Sequence, residues 1–300
     1  MKILVIGDFQ GVFSEKLKRK LKKVDYDLVV GVGDYGGIKD WMPHVMKRLK
    51  AAKSGREIPS VEEMIGKKRY AALLKKDFEA GKKVFLGLDN LGKGKKALYV
   101  FGNGDDGWYR YPFSAEDLWP VDKKNLKALK RLKNLKDFTY GKAKFSGVTF
   151  LGFGGYMDID AFFDKKESKE AKDKDRLNAR VKRRDLSKKN LFSRLKKLSK
   201  KERENLVFVF HYPPKGVFDI IKSKGNPMDG KSAGIIFFNE AIKKYRPKFV
   251  LCGHMHEYKG MRNVPGTKIP VINPGDGEKD KFAVVEIDDK TKKVMRVRFY

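Results

Sequence analysis

The chain has a single cysteine, Cys252, in 300 residues. That excludes an intramolecular disulfide and a zinc site built on thiolates. Long apolar runs are also missing, since no stretch approaches the roughly 20 residues that a membrane-crossing helix needs. The opening Met1-Lys2-Ile3-Leu4-Val5-Ile6-Gly7-Asp8 is too short for a signal h-region and lacks a small-residue cleavage site. It reads as a buried strand, and the expectation is a cytoplasmic protein with no membrane partner. Acid is scarce relative to base, 38 Asp and Glu against 69 Lys and Arg, a net charge of +31. Such a surplus is either a footprint for nucleic acid or another polyanion, or a set of lysine-rich solvated helix faces. The lysines stand among Leu and Asp at helical spacing rather than in a block with aromatics, which favours the second reading for most of the charge. Nucleic acid stays a candidate partner, and the oligomeric state is not legible. Disorder is excluded by 21 Phe and 12 Tyr.

What is present is a series of short apolar runs, each closed by glycine or a polar residue. Residues 2–7 end at Asp8 and residues 27–32 lead to Gly33-Asp34, with a basic helix over 14–23 between them, opened by Ser14 as N-cap. Continuous rather than alternating apolar strands, separated by a helix, imply a parallel sheet with right-handed crossovers. Residues 97–101 lead to Gly102-Asn103, 206–210 to His211, and 248–252 to Gly253-His254. A hairpin is expected over 142–153, short strands at 268–272, 282–287 and 293–299, and helices near 122–134 and 233–245. Helical insertions are expected at about 40–90 and 164–204. Neither a repeat nor a linker divides the chain, so one domain over 1–300 is expected.

Five of these strands therefore end in a residue able to bind a metal: Asp8, Asp34, Asn103, His211 and His254. Open α/β sheets bind ligands at the carboxyl ends of their strands. Only four histidines exist, and three of them, His211, His254 and His256, fall at such ends. His44, in Met42-Pro43-His44-Val45, lies outside any motif and reads as structural, and Cys252 reads as a buried inert thiol. Oxygen and imidazole ligands suit Mn, Fe, Mg or Zn. Two such ions a few ångströms apart need a bridging carboxylate, and Asp34 is placed for that.

The order Gly7-Asp8-Phe9-Gln10, Gly33-Asp34, Gly102-Asn103-Gly104-Asp105, His211, Gly253-His254-Met255-His256 resembles the five-block signature of the calcineurin-like metallophosphoesterases. The resemblance spans residues 7–256. It implies an α/β fold with two mixed β-sheets flanked by helices, an αββα sandwich. It implies a first divalent ion on Asp8, Asp34 and His256, and a second on Asp34, Asn103, His211 and His254, with Mn foremost. Asp105 would orient ligands or the acid group, and a hydroxide on the metal pair would attack a phosphoester. Asp34, Asn103, Asp105 and His211 are thus the candidate catalytic residues.

Two positions depart from the pattern. Gln10 stands where the family has His, so its amide oxygen would be a weaker ligand, and the first ion would bind less tightly or favour Mn or Mg over Zn. Gly104 replaces a His that lies near the substrate phosphate and helps the leaving group depart. Its loss points to diesters or activated phosphoesters over alkyl monoesters. A phosphomonoesterase, a nuclease and a degenerate binding or scaffold protein are the alternatives. Tyr212 is either a substrate contact or packing, the aromatic loop 108–119 either a base-stacking cap or a packed loop. Asn273-Pro274-Gly275-Asp276 reads as a rigid turn beside the site.

Overall fold

The structure is a computed structural model that describes residues 1–53, 59–105, 107–108, 123–159, 162 and 174–300. Two six-stranded mixed sheets form its centre. The first runs in the order β12-β11-β1-β2-β3-β4, with β1 Lys2–Ile6, β2 Leu28–Gly31, β3 Lys96–Tyr99, β4 Leu135–Asp137, β11 Ala283–Ile287 and β12 Val294–Phe299. The second runs β5-β6-β7-β8-β10-β9, with β5 Lys142–Phe145, β6 Val148–Phe153, β7 Leu206–Phe210, β8 Phe249–Leu251, β9 Gly260–Asn263 and β10 Pro270–Asn273.

The strands β1, β2, β3 and β4 are parallel neighbours, as are β6, β7, β8 and β10. Their side chains alternate between two buried faces. Ile3, Val5, Val30 and Leu98 meet Val207, Val209, Phe249 and Leu251 between the sheets. Leu4, Ile6, Val29 and Tyr99 point the other way, onto α1 (Glu15–Leu21) and α4 (Lys67–Leu91) through Leu17, Leu21, Val84, Phe85 and Leu88. On the far side Phe208, Phe210 and Val250 pack on α6 (Lys174–Lys196) and α8 (Ile236–Tyr245). Burial on both faces explains why these strands read as apolar runs. The result is the expected layered α/β sandwich.

The insertion near 40–90 holds a 3-10 turn (Lys39–Trp41), α2 (Met42–Lys53), α3 (Val61–Ile65) and α4. That near 164–204 holds α6 and α7 (Lys200–Glu204), its first residues, 164–173, lying outside the described residues. A short α5 (Lys123–Leu129) lies in the segment read as helical near 122–134. Ser14 caps α1 by accepting from Leu17 N at 2.9 Å. His44 is not a core histidine: it sits half-buried on α2. Trp108 is 1% exposed, stacks on Phe78 and lies so close to Gly81 that a Cβ there would meet its ring at 2.8 Å. It is a core wedge, and residues 109–119 of the aromatic loop lie outside the described residues. No helix among the described residues is long and apolar enough to cross a membrane.

Candidate metal centre

The carboxyl ends of β1, β2 and β3 meet those of β7 and β8 across the seam between the sheets. The first sheet brings Asp8, Asp34 and Asn103 there, and the second brings His211, His254 and His256. Two groups of side chains could each hold an ion, Asp34 with His211 and His254, and Asp8 with Asp34 and His256. Within each group the ligand atoms lie within 4.8 Å of one another, and Asp34 belongs to both.

Backbone geometry makes this convergence possible. Asp8 (φ 54°), Gln10 (φ 47°), Asp34 (φ 56°) and His254 (φ 67°) all take the left-handed conformation, four of the nine non-glycine residues that do so among the described ones. Non-glycine residues resist this region, so its clustering marks strain held at a functional site. Close approach needs glycine at the facing positions. A Cβ on Gly102 would lie 2.1 Å from Asp34 Oδ1, and one on Gly33 would lie 2.3 Å from His211 Nδ1.

The ligands are oriented from behind. Asp105 is fully buried and accepts four backbone N–H bonds, from Tyr35 (2.7 Å), Gly36 (3.0 Å), Asp34 (3.0 Å) and Gly102 (2.7 Å). These bonds fasten the loop after β2 to the turn after β3, with no carboxylate oxygen turned to the mouth. Tyr35, which the sequence did not single out, donates to Val100 O at 2.9 Å and accepts from Gly33 N at 3.2 Å. Tyr212 is packing: it is 2% exposed, and its ring lies 4.0 Å from that of His254, centre to centre.

The polar atoms fit cations. His211 Nδ1 donates to Val32 O at 2.8 Å, which leaves a lone pair on Nε2. That lone pair faces Asn103 Oδ1, another acceptor, at 2.9 Å. Asp8 Oδ2 is buried without any hydrogen-bond donor. Acceptors that face each other or stand buried without a donor are costly unless a cation is shared between them. Gln10 lies against the pair, with its amide nitrogen donating to Asp34 Oδ2 at 3.3 Å. Ligation through its oxygen would require the amide to turn over. Gly104 N donates to Asp34 Oδ1 at 2.7 Å, so this position contributes an N–H where the family pattern has an imidazole.

Electrostatics separate the two accessible imidazoles. Desolvation, then the neighbouring His211 and His256, hold His254 well below the usual histidine range, in the neutral form that binds metals. Burial opposes charge on His256, yet the hydrogen bond to Asp8 and the charges of Asp8, Asp34 and Asp276 outweigh it and push it up to about 9. The His256 Nε2 lies 3.5 Å from Asp8 Oδ1.

The family profile described as "Metallophosphoesterase, calcineurin superfamily" matches residues 1–297. The chain belongs to that family of metallophosphoesterases. Membership brings metal-dependent phosphoester hydrolysis in general, with divalent ions. One solved crystal structure is 22% identical, covers 99% of this chain and 98% of its own, and superposes with a TM-score of 0.60. The phosphopantetheinyl hydrolase PptH from Mycobacterium tuberculosis is 11% identical over 93% of this chain and 90% of its own, with a TM-score of 0.50. Both likenesses concern the fold. No curated protein matches the chain.

The sequence-selected residues Asp8, Gln10, Asp34, Asn103, His211, His254 and His256 come together in this one cluster, with Asp105 one layer behind. The Asn-Pro-Gly-Asp turn closes one side: Gly277 N donates to Gly7 O at 2.9 Å and Glu278 N to Asp8 O at 3.1 Å. Gly275, at φ 88°, donates to Asn273 Oδ1 at 2.9 Å, which fits the rigid turn expected there.

Proposed function

We propose that this metallophosphoesterase hydrolyses a phosphodiester, using two divalent ions of which Mn is the first candidate, with Fe, Mg and Zn behind it. Asp8, Asp34 and His256 would hold the first ion with Gln10 beside it, and Asp34, Asn103, His211 and His254 would hold the second. Bound there, two divalent ions supply Lewis-acid charge to the phosphoryl oxygens and lower the pKa of the attacking water. The observation that carries this reading is the sharing of Asp34 by both ligand groups.

The residues do the rest. Val32 O holds His211 in the tautomer whose Nε2 faces inward. Gly104 N and the Gln10 amide each donate to one oxygen of Asp34, which keeps its carboxylate plane turned to both positions. Asp105 acts as a positioning residue through the backbone of Asp34 and Gly102.

Gly104 sets the substrate preference. It places no acid beside the leaving oxygen, and a general acid contributes on the order of 10²–10⁴-fold where the leaving group needs a proton. Alkyl monoesters therefore lose most, and diesters with better leaving groups lose least. The surplus of basic residues adds long-range attraction for any such anion.

Metal-supplemented hydrolysis of bis-p-nitrophenyl phosphate beside p-nitrophenyl phosphate tests this, for the wild type and Asp34→Asn. Diester turnover that needs metal and disappears in Asp34→Asn is expected. Faster turnover of alkyl monoesters would return the assignment to a phosphomonoesterase. Turnover of DNA or RNA, with affinity falling log-linearly with salt, would make it a nuclease. No turnover together with one bound ion or none would make it a binding or scaffold protein.

A further inference from the structure

A buried carboxylate, Asp276, stands beside the first metal position. Asp276 is 0% exposed. Its Oδ2 accepts from Lys279 Nζ at 2.8 Å, a side chain that is 60% exposed and keeps its ammonium near water. Its Oδ1 is buried without any donor, like Asp8 Oδ2. Asp276 and Asp8 are tied to each other through the backbone, since Gly277 N and Glu278 N bond to Gly7 O and Asp8 O. The negative charge of Asp276 is also felt at His256.

The same position is short of a ligand. The family pattern places an imidazole where this chain has Gln10, whose amide is neutral, a weaker donor, and turned with its nitrogen toward Asp34. A divalent ion there has fewer strong donors to satisfy it. A fixed negative charge just outside the ligands offsets that loss, because such outer groups tune metal affinity as well as orientation.

The geometry points to Asp276 as a positioning residue for the first metal position, a third carboxylate behind Asp8 and His256 that tightens cation binding where Gln10 weakens it. This rests on the two-ion reading of the site. Asp276 does not ligate: it does not join Asp8, Asp34 and His256 in the group whose ligand atoms lie within 4.8 Å of one another. Its effect is on affinity at one of two positions, which separates it from a residue that merely holds the turn.

Calorimetric titration of the metal-free protein with Mn²⁺ alone tests it, on wild type, Asp276→Asn and Lys279→Met, with unfolding curves of each metal-free protein. The wild type is expected to take two ions. Asp276→Asn keeps the shape but removes the charge, and should weaken one of the two binding events about 10–100-fold while leaving the other unchanged. Lys279→Met removes the competing ammonium and should leave that event as tight or tighter. The metal-free Asp276→Asn protein should still fold, because the lost Lys279 pair is largely exposed and its loss is set against the removal of a buried charge. Two unchanged events in Asp276→Asn would overturn the inference alone, and so would a variant that is unfolded before metal is added. A wild type that takes no Mn²⁺ would overturn it together with the two-ion reading.

Discussion

Replacing Asp105 separates a fastening role from a chemical one. Its carboxylate is the acceptor for four buried backbone N–H groups, those of Asp34, Tyr35, Gly36 and Gly102. Alanine leaves all four without an acceptor. A buried donor without a partner costs about 1–3 kcal/mol, so four reach roughly 4–12 kcal/mol. They are neighbours and their losses overlap, which makes the upper figure a bound. Set against a total stability of about 5–15 kcal/mol, Asp105→Ala is expected to be largely unfolded. Asp105→Asn is the informative change, because it keeps the volume and one carbonyl oxygen. Its amide nitrogen then faces two N–H donors, a loss of roughly 2–6 kcal/mol by the same reasoning. The assay is urea unfolding followed by tryptophan fluorescence. Trp108 reports locally, since it is buried and its backbone N–H donates to Asp105 O at 2.9 Å. The Asn variant should unfold at distinctly lower urea and bind metal more weakly, because the fastened loop carries Asp34. An Asn variant with wild-type midpoint and metal content but no activity would rule out the fastening role and make Asp105 part of the chemistry.

Other outcomes follow from the same geometry. Gly102→Ala places a methyl group 2.1 Å from Asp34 Oδ1 and 2.5 Å from Asp34 N, and should cost at least one of the two ions by elemental analysis. In chelator, His256 has a folded pKa near 9, raised above its ordinary value of 6.5. Its stabilising contribution is therefore full below about pH 6.5 and lost as pH rises through 9, so the metal-free melting temperature should fall over that window and the fall should shrink in His256→Gln. Metal affinity should run the opposite way and rise over the same window, since an ion must displace that proton. Burial, then the charge of Asp8, pushes the Cys252 thiol up, so a thiol reagent should label native protein far more slowly than denatured protein.

Much of this was legible in the sequence because the chain states its sheets plainly. Strands buried on both faces must be apolar throughout, so β1, β2, β7 and β8 stood out as runs closed by Gly-Asp or His. The site was legible for the same reason, since strand ends are where a parallel sheet gathers polar groups. Two of the four edge strands were not. The strand β4 (Leu-Lys-Asp) buries only Leu135, and β9 (Gly-Met-Arg-Asn) buries none of its residues, so neither carries an apolar pattern. The role of Tyr35 was hidden for another reason, and Asp105 was legible as an orienting residue but not the partners through which it acts. Both residues act by accepting from or bonding to backbone groups about 70 residues away or two residues away, and nothing in side-chain spacing records such a bond. Asp276 was visible only as the end of an Asn-Pro-Gly turn, because burial without a donor is a property of the folded chain.

If two ions bind, Asp34 must join both metal positions. Crystals soaked in Mn²⁺ and measured at the manganese absorption edge test it most directly. Two anomalous peaks that share Asp34 are expected, one beside Asp8 and His256 and the other beside Asn103, His211 and His254. A single peak away from Asp34, or none at saturating Mn²⁺, would contradict the two-ion reading.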